Sequence, residues 1–254
     1  MEPPKRETKS GRHLGFWVRL LDPTRYLRHV GRGMTRLERL AAEGESFLGA
    51  ATAIGLTIAL QYSLPNRVTQ YQRWIFPVVA AVLLLALLIG HGARIDRSKP
   101  WLRGLTLFTV VLMALANAIA AGRLVRDLLQ GEGIRKPGVL LLTGGAIWLT
   151  NVIVFALVYW LFDRGGPAAR HLLPRDPTTM AFLFPQHTLD DGGLEKWEPV
   201  FFDYFYTSFT NATAFSPTDV MPLTRWAKFA MMIESALSLM LAVLVVARAV
   251  NILK

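Results

Sequence analysis

The sequence predicts an all-α polytopic membrane protein: five transmembrane helices, with a short re-entrant helix and a loop between the last two. Three observations lead there. First, 52% of the 254 residues are hydrophobic and 18% are charged, against about 45–50% and about 25% in ordinary soluble domains. Second, five apolar runs reach the roughly 17–25 residues that cross a bilayer. Third, a sixth apolar run is too short to cross and is followed at once by another span. The chain has no cysteine, which excludes a disulfide scaffold, a thiol nucleophile and a thiolate metal site.

In chain order, residues 1–45 form a basic leader; ten of the 28 Lys and Arg lie within it. Residues 1–15 are polar, with Pro3 and Pro4, and no regular structure is expected there. Asp22 suits a helix cap and Pro23 a first turn. Leu27, Val30, Met34, Leu37 and Ala41 then share one face, while Arg25, Arg28, Arg32, Arg36 and Arg39 lie mostly elsewhere. Such a helix, weakened by Gly31 and Gly33, lies on an anionic lipid surface or packs on the protein's own spans. Nucleic acid is not an expected partner, because the charge sits beside a membrane span.

The five runs are Phe47–Leu64, Trp74–Ala93, Gly104–Ala121, Val139–Phe162 and about Phe229–Leu253. Helix follows from the solvent, since hydrocarbon offers backbone groups no partners. No cleavable signal pattern precedes the first run, so it is expected to be an uncleaved anchor. Residues 46–137 form a three-helix transmembrane region. Asp163 to Val200, rich in Gly and Pro with charges of both signs, reads as a loop outside the membrane. Val200 to Ala214 is the short apolar, aromatic stretch, and Pro222 ends the turn after it. A half-membrane helix is tolerated only when it is buried in protein or lines an aqueous cavity.

The stretch SFTNATAFSPTDVMPLTRW, Ser208 to Trp226, resembles the pore helix, filter and inner-helix start of the potassium-channel-like pore-loop superfamily of tetrameric cation channels. That family's pattern runs roughly T-x-x-T-x-G-Y-G-D-x-x-P-x-T. Aligned without a gap, Thr210 to Thr213 end the pore helix, and Ala214, Phe215, Ser216, Pro217 and Thr218 take the filter positions. Asp219 matches the acidic residue after the filter, Pro222 the proline three on, and Thr224 the inner-helix cap. The run ending VYWLFDRGG, Val158 to Gly166, resembles an outer helix. The resemblance covers residues 138–254 and implies a homotetramer around a central axis, with monovalent cations passing through it.

The departure is informative too. A carbonyl ladder that replaces an ion's water shell needs left-handed backbone at two positions suited to glycine. Ser216 and Thr218 stand there, at about 1–2 kcal/mol each. Pro217 removes an N–H and biases Ser216 toward extended geometry. Two readings follow. Thr213, Ser216, Thr218 and Asp219 ring a wider hydrated cation site with an acidic mouth, or Phe215 and Pro217 plug the axis. The second makes the chain a non-conducting structural or regulatory membrane protein. Asp219 has its own plain reading as a cap or a structural bond to the short helix.

Glu234 lies in the first turns of the last span, where an unpaired carboxylate costs roughly 2.5–3.5 kcal/mol. It is either a cavity-facing charge or a structural acid, paired with Asn151 or Thr150 or placed near the interface. Asn117 reads as an interhelical hydrogen bond. His13, His29, His91, His171 and His187 lack ligand spacing, so no metal site is expected. Arg123 and Arg126 read as interfacial snorkelling. The sequon Asn211-Ala212-Thr213 is discounted because it falls in the short helix. With no phosphate loop and no nucleophile elbow, neither enzymatic activity nor a cofactor is expected.

Charge bias places the N-terminus in the cytoplasm of a multi-pass cell-membrane protein. Arg94, Arg97, Lys99 and Arg103 then fall on the same side, and Arg67 and Arg73 on the other. Five spans would put the filter mouth in the cytoplasm, opposite to potassium channels, and would leave Arg123, Arg126, Arg135 and Lys136 outside. No sensor domain is expected past Lys254.

Overall fold

The computed structural model describes residues 47–65, 72–91, 100–131, 134, 136–170, 180–188, 197–213 and 219–253. The basic leader and the candidate filter positions Ala214 to Thr218 lie outside them.

Each of the six apolar stretches is helical. They are α1 (Leu48–Ser63), α2 (Gln72–His91), α3 (Pro100–Leu129), α4 (Pro137–Phe162), α5 (Phe201–Thr213) and α6 (Arg225–Leu253). Pro137 opens α4 at a position where a missing N–H costs nothing. Three helices are long and apolar enough to cross a membrane: Trp101–Leu129, Pro137–Gly165 and Arg225–Ile252. The expected first two spans are shorter as described, Leu48–Ser63 and Trp74–Ile89. At 1.5 Å per residue, the 16 residues of α1 extend about 24 Å, short of a hydrocarbon core about 30 Å thick.

The side chains are distributed as lipid demands. Between Phe229 and Val250, every exposed position on α6 is apolar, its buried stripe (Ala227, Met231, Glu234, Ser238, Leu241, Val245, Ala249) carries Glu234 and Ser238, and Ser235 and Arg248 are half-buried. Helices in lipid gain nothing by hiding leucine from leucine-like tails. Their contacts rely on small residues and internal hydrogen bonds instead.

α4 is the central helix, packed by α1, α3, α5 and α6, and one core cluster draws residues from all six helices, including Ile54, Leu87, Leu102, Leu157, Tyr204 and Ala227. α6 runs antiparallel to α4: the Trp226 and Phe162 rings meet at a tilt with centroids 5.9 Å apart, Asn151 Nδ2 donates to Ser238 Oγ at 3.2 Å, and Gly144 faces Val245. α5 also runs antiparallel to α4, from a contact of Phe201 with Trp160 at 6.0 Å to one of Phe209 with Trp148 at 5.6 Å. The chain then returns, and β2 (Met221–Pro222) pairs antiparallel with β1 (Phe182–Leu183), Phe182 opposite Pro222.

Gly144 sets how closely α4 and α6 approach. A Cβ there would stand 2.8 Å from both methyls of Val245, too close without a shift of one helix. Gly144→Ala is expected to lower stability by about 1–3 kcal/mol, and Val245→Ala in the same chain to recover most of it. Thermal unfolding of the purified protein in detergent checks this; Gly144→Ala as stable as wild type would show that the helices have slack there.

Candidate functional site

Two buried polar groupings hold α5. The upper one starts where α4 ends. Arg164, Gly165 and Gly166 have φ of +47°, +78° and +93°, the left-handed region in which glycine is at ease. At Gly166 a Cβ would also meet the Leu161 carbonyl oxygen at 2.8 Å. This corner folds Asp163 inward, 1% exposed, where it accepts the Tyr204 hydroxyl at 2.5 Å and the Ala181 N–H at 2.8 Å. One carboxylate therefore ties together the end of α4, the strand turn and α5. Arg164 is paired with Glu198. Arg170, from the helical turn Pro167–Arg170, donates to the Trp160 carbonyl at 2.7 Å, and its guanidinium lies 4.9 Å over the Tyr204 ring. Burial holds the Tyr204 phenol well above its usual range, with Arg170 opposing and Asp163 adding to the shift, so Tyr204 remains a donor. α5 begins with Asp203 reaching back to accept the Val200 N–H at 2.7 Å, which satisfies one of the orphan donors of a helix start.

The lower grouping centres on Glu234, which is fully buried. Tyr159 of α4 donates to its Oε2 at 2.6 Å, and Asn211 of α5 donates to the same oxygen at 2.6 Å. The Ser208 hydroxyl contacts Oε1 and also the Val152 carbonyl, the latter at 2.7 Å. Asn211 further donates to the Met231 carbonyl at 3.0 Å, and the Ser235 hydroxyl donates to Asn211 Oδ1 at 3.0 Å. Val152 stands ten residues before Phe162, about 15 Å along α4. Glu234 stands nine residues into α6, about 14 Å along it.

The residues expected to line an ion pathway are placed unevenly. Thr213 ends α5, its hydroxyl turned back to the Thr210 carbonyl at 2.8 Å. Ala214, Phe215, Ser216, Pro217 and Thr218 lie outside the described residues. Asp219 is exposed, just before buried Val220. Glu234 is buried, and its partners are other than those expected: Asn151 bonds Ser238, and Tyr159, Ser208 and Asn211 hold the carboxyl. The reason is register, which sets Tyr159 and not Thr150 opposite Glu234. Asn117 is buried, and among the described residues its Oδ1 has no donor. Among the described residues no cluster of three or more His, Asp or Glu is arranged for a metal ion.

Sequence reasoning missed Asp163, Arg164 and Arg170, all read as loop charges and all 3% exposed or less. The only local signal was the Gly165-Gly166 pair, which permits a corner tight enough to turn charges inward.

Asp163→Asn removes one acceptor and sets an amide N–H₂ against either the Tyr204 hydroxyl or the Ala181 N–H. Stability is expected to fall by about 2–3 kcal/mol, read as a lowered Tm. An unchanged Tm would mean that this carboxylate does not hold the corner.

Compared with protein-family models, with curated proteins and with solved structures, the chain matches nothing in any of the three.

Proposed function

We propose that the chain is one subunit of a channel-like, multi-pass cell-membrane protein: five spans, a cytoplasmic N-terminus, and α5 as a re-entrant helix. Four copies would surround an axis through which monovalent cations pass passively, past the nonstandard filter Ala214 to Asp219. The basic leader would rest on anionic lipid.

The observation that carries the reading is the placement of α5. It is 13 residues long, about 20 Å, too short to cross. Its C-terminal half nonetheless lies against α4 and α6 some 15 Å from their shared end, with Ser208 on the Val152 carbonyl and Asn211 on Glu234. The chain returns from Thr213 to Val220, which packs in the same core cluster as Phe182. A descending helix and a returning segment between two antiparallel spans have the connectivity of a pore loop.

Oligomerisation is supported by the uncovered side of α5. Phe201, Tyr204, Thr207, Ser208 and Ala212 are buried, whereas Phe202, Tyr206 and Phe209 are exposed at 69%, 48% and 41%. A helix that stops at membrane depth needs protein around it, and here its own chain covers one face. The chain's lack of cysteine makes the test direct: Phe209→Cys is expected to give a disulfide-linked dimer on mild oxidation in membranes, and Val82→Cys, exposed on α2, to give none. Monomer from both variants would argue against subunits meeting at α5.

The non-conducting alternative also has support. Pro217 interrupts the ladder, and the acid on the last span is engaged inside the protomer instead of facing an axis. Flux from liposomes separates the two readings. Permeation predicts potassium or sodium flux that Asp219→Asn reduces severalfold, because an exposed carboxylate at a mouth concentrates cations. No flux of potassium, sodium or chloride, with or without a membrane potential, would leave the structural role.

A further inference from the structure

We infer that Glu234 is a neutral carboxylic acid that donates its own proton to Ser208, and that in this form it positions α5. Ser208 Oγ carries one hydrogen and touches two oxygens, the Val152 carbonyl and Glu234 Oε1. The carbonyl can only accept, and an ionised carboxylate can only accept. One hydrogen can be shared between two acceptors at about 3 Å, as the Ser235 hydroxyl is between the Asn211 carbonyl at 3.1 Å and Oδ1 at 3.0 Å, but both Ser208 contacts are closer than these, so with Glu234 ionised one of them would set lone pair against lone pair. A proton on Oε1 removes the conflict. Glu234 then donates to Ser208, and Ser208 donates to Val152.

The rest of the network is compatible with that assignment, with the Ser235 hydrogen shared between the Asn211 carbonyl and Oδ1. Oε2 accepts from Tyr159 and from one amide hydrogen of Asn211, whose second hydrogen goes to the Met231 carbonyl. Asn211 Oδ1 accepts from Ser235. The groups facing the carboxyl are Tyr159 and the Val152 carbonyl from α4, Ser208 and Asn211 from α5, and its own turn of α6. None of these carries a positive charge. A buried carboxylate without a cation is costly, whereas a neutral acid with all its partners is not. The acid thus grips α5 at Ser208 and Asn211, immediately before the segment 214–219. This protonation state is independent of ion passage.

The test is an infrared difference spectrum of the full chain in lipid bilayers at neutral pH, wild type against Glu234→Gln. The expected result is a carboxylic-acid C=O band present in wild type, absent from the variant, moved by deuterium exchange, and raised in frequency in Ser208→Ala, where the acid loses its acceptor. A difference confined to carboxylate bands would overturn the assignment. Stability gives a second readout. Gln presents an N–H₂ to Ser208 and a carbonyl to Tyr159 and Asn211, so Glu234→Gln is expected to keep the unfolding equilibrium within about threefold, while Glu234→Ala, which orphans three partners, shifts it ~100-fold. A Gln variant that fails to fold, or loses as much as Ala, would also overturn it. An acid band in protein that passes no ions would remove permeation and leave this assignment standing.

Discussion

A polar group buried among apolar side chains must find its partner inside the protein, and the described residues around α5 are organised by that constraint. A helix as short as α5 presents free backbone groups at both ends, and it carries Asp203, Tyr204, Thr207, Ser208 and Asn211 besides. Each is answered from within the chain: the Val200 N–H on Asp203, Asp163 under Tyr204, the Asp203 carbonyl for Thr207, the Val152 carbonyl for Ser208, Glu234 and Met231 for Asn211. An unanswered buried group costs about 1–3 kcal/mol in proteins. The partners of α5 therefore determine its depth and rotation together, and they come from both long helices that flank it.

The corner after α4 solves the same problem at the other end of α5. Leaving a helix, the chain must turn without exposing the last carbonyls. Three successive left-handed residues do so within one turn, and the Trp160 carbonyl receives the Arg170 guanidinium. Charge enters the core as a consequence, but in compensated form: Asp163 with two donors, Arg164 with Glu198, Arg170 on a carbonyl and an aromatic face. Aromatic rings fill the space between the two polar groupings. Phe182 touches Tyr159 at 4.9 Å, Trp226 at 5.9 Å and Tyr204 at 6.2 Å, so the short strand pair and the mid-helix acid share a wall.

Close approach of α4 and α6 is the other requirement. Gly144 lets Val245 reach the backbone of α4, and farther along the same helix pair Asn151 meets Ser238. Small residues and paired polar groups lie on one seam, and between Phe229 and Val250 the exposed positions of α6 are apolar.

The places of the six helices were legible in the residues themselves, because each is a continuous apolar run and that is a local property of the chain. The shortness of α5 and its aromatic character were legible for the same reason, as was the likelihood of a partner for a carboxyl at Glu234. Which partner was not. Tyr159 lies 75 residues from Glu234 and Ser208 lies 26, and the choice among Thr150, Asn151 and Tyr159 depends on a helix register that no local pattern encodes. The inward turn of Asp163, Arg164 and Arg170 was hidden likewise, since their residue types read as solvated loop until the corner is built. Helix position is a property of neighbours in the chain; polar satisfaction is a property of neighbours in space, and only the packed bundle could assign it.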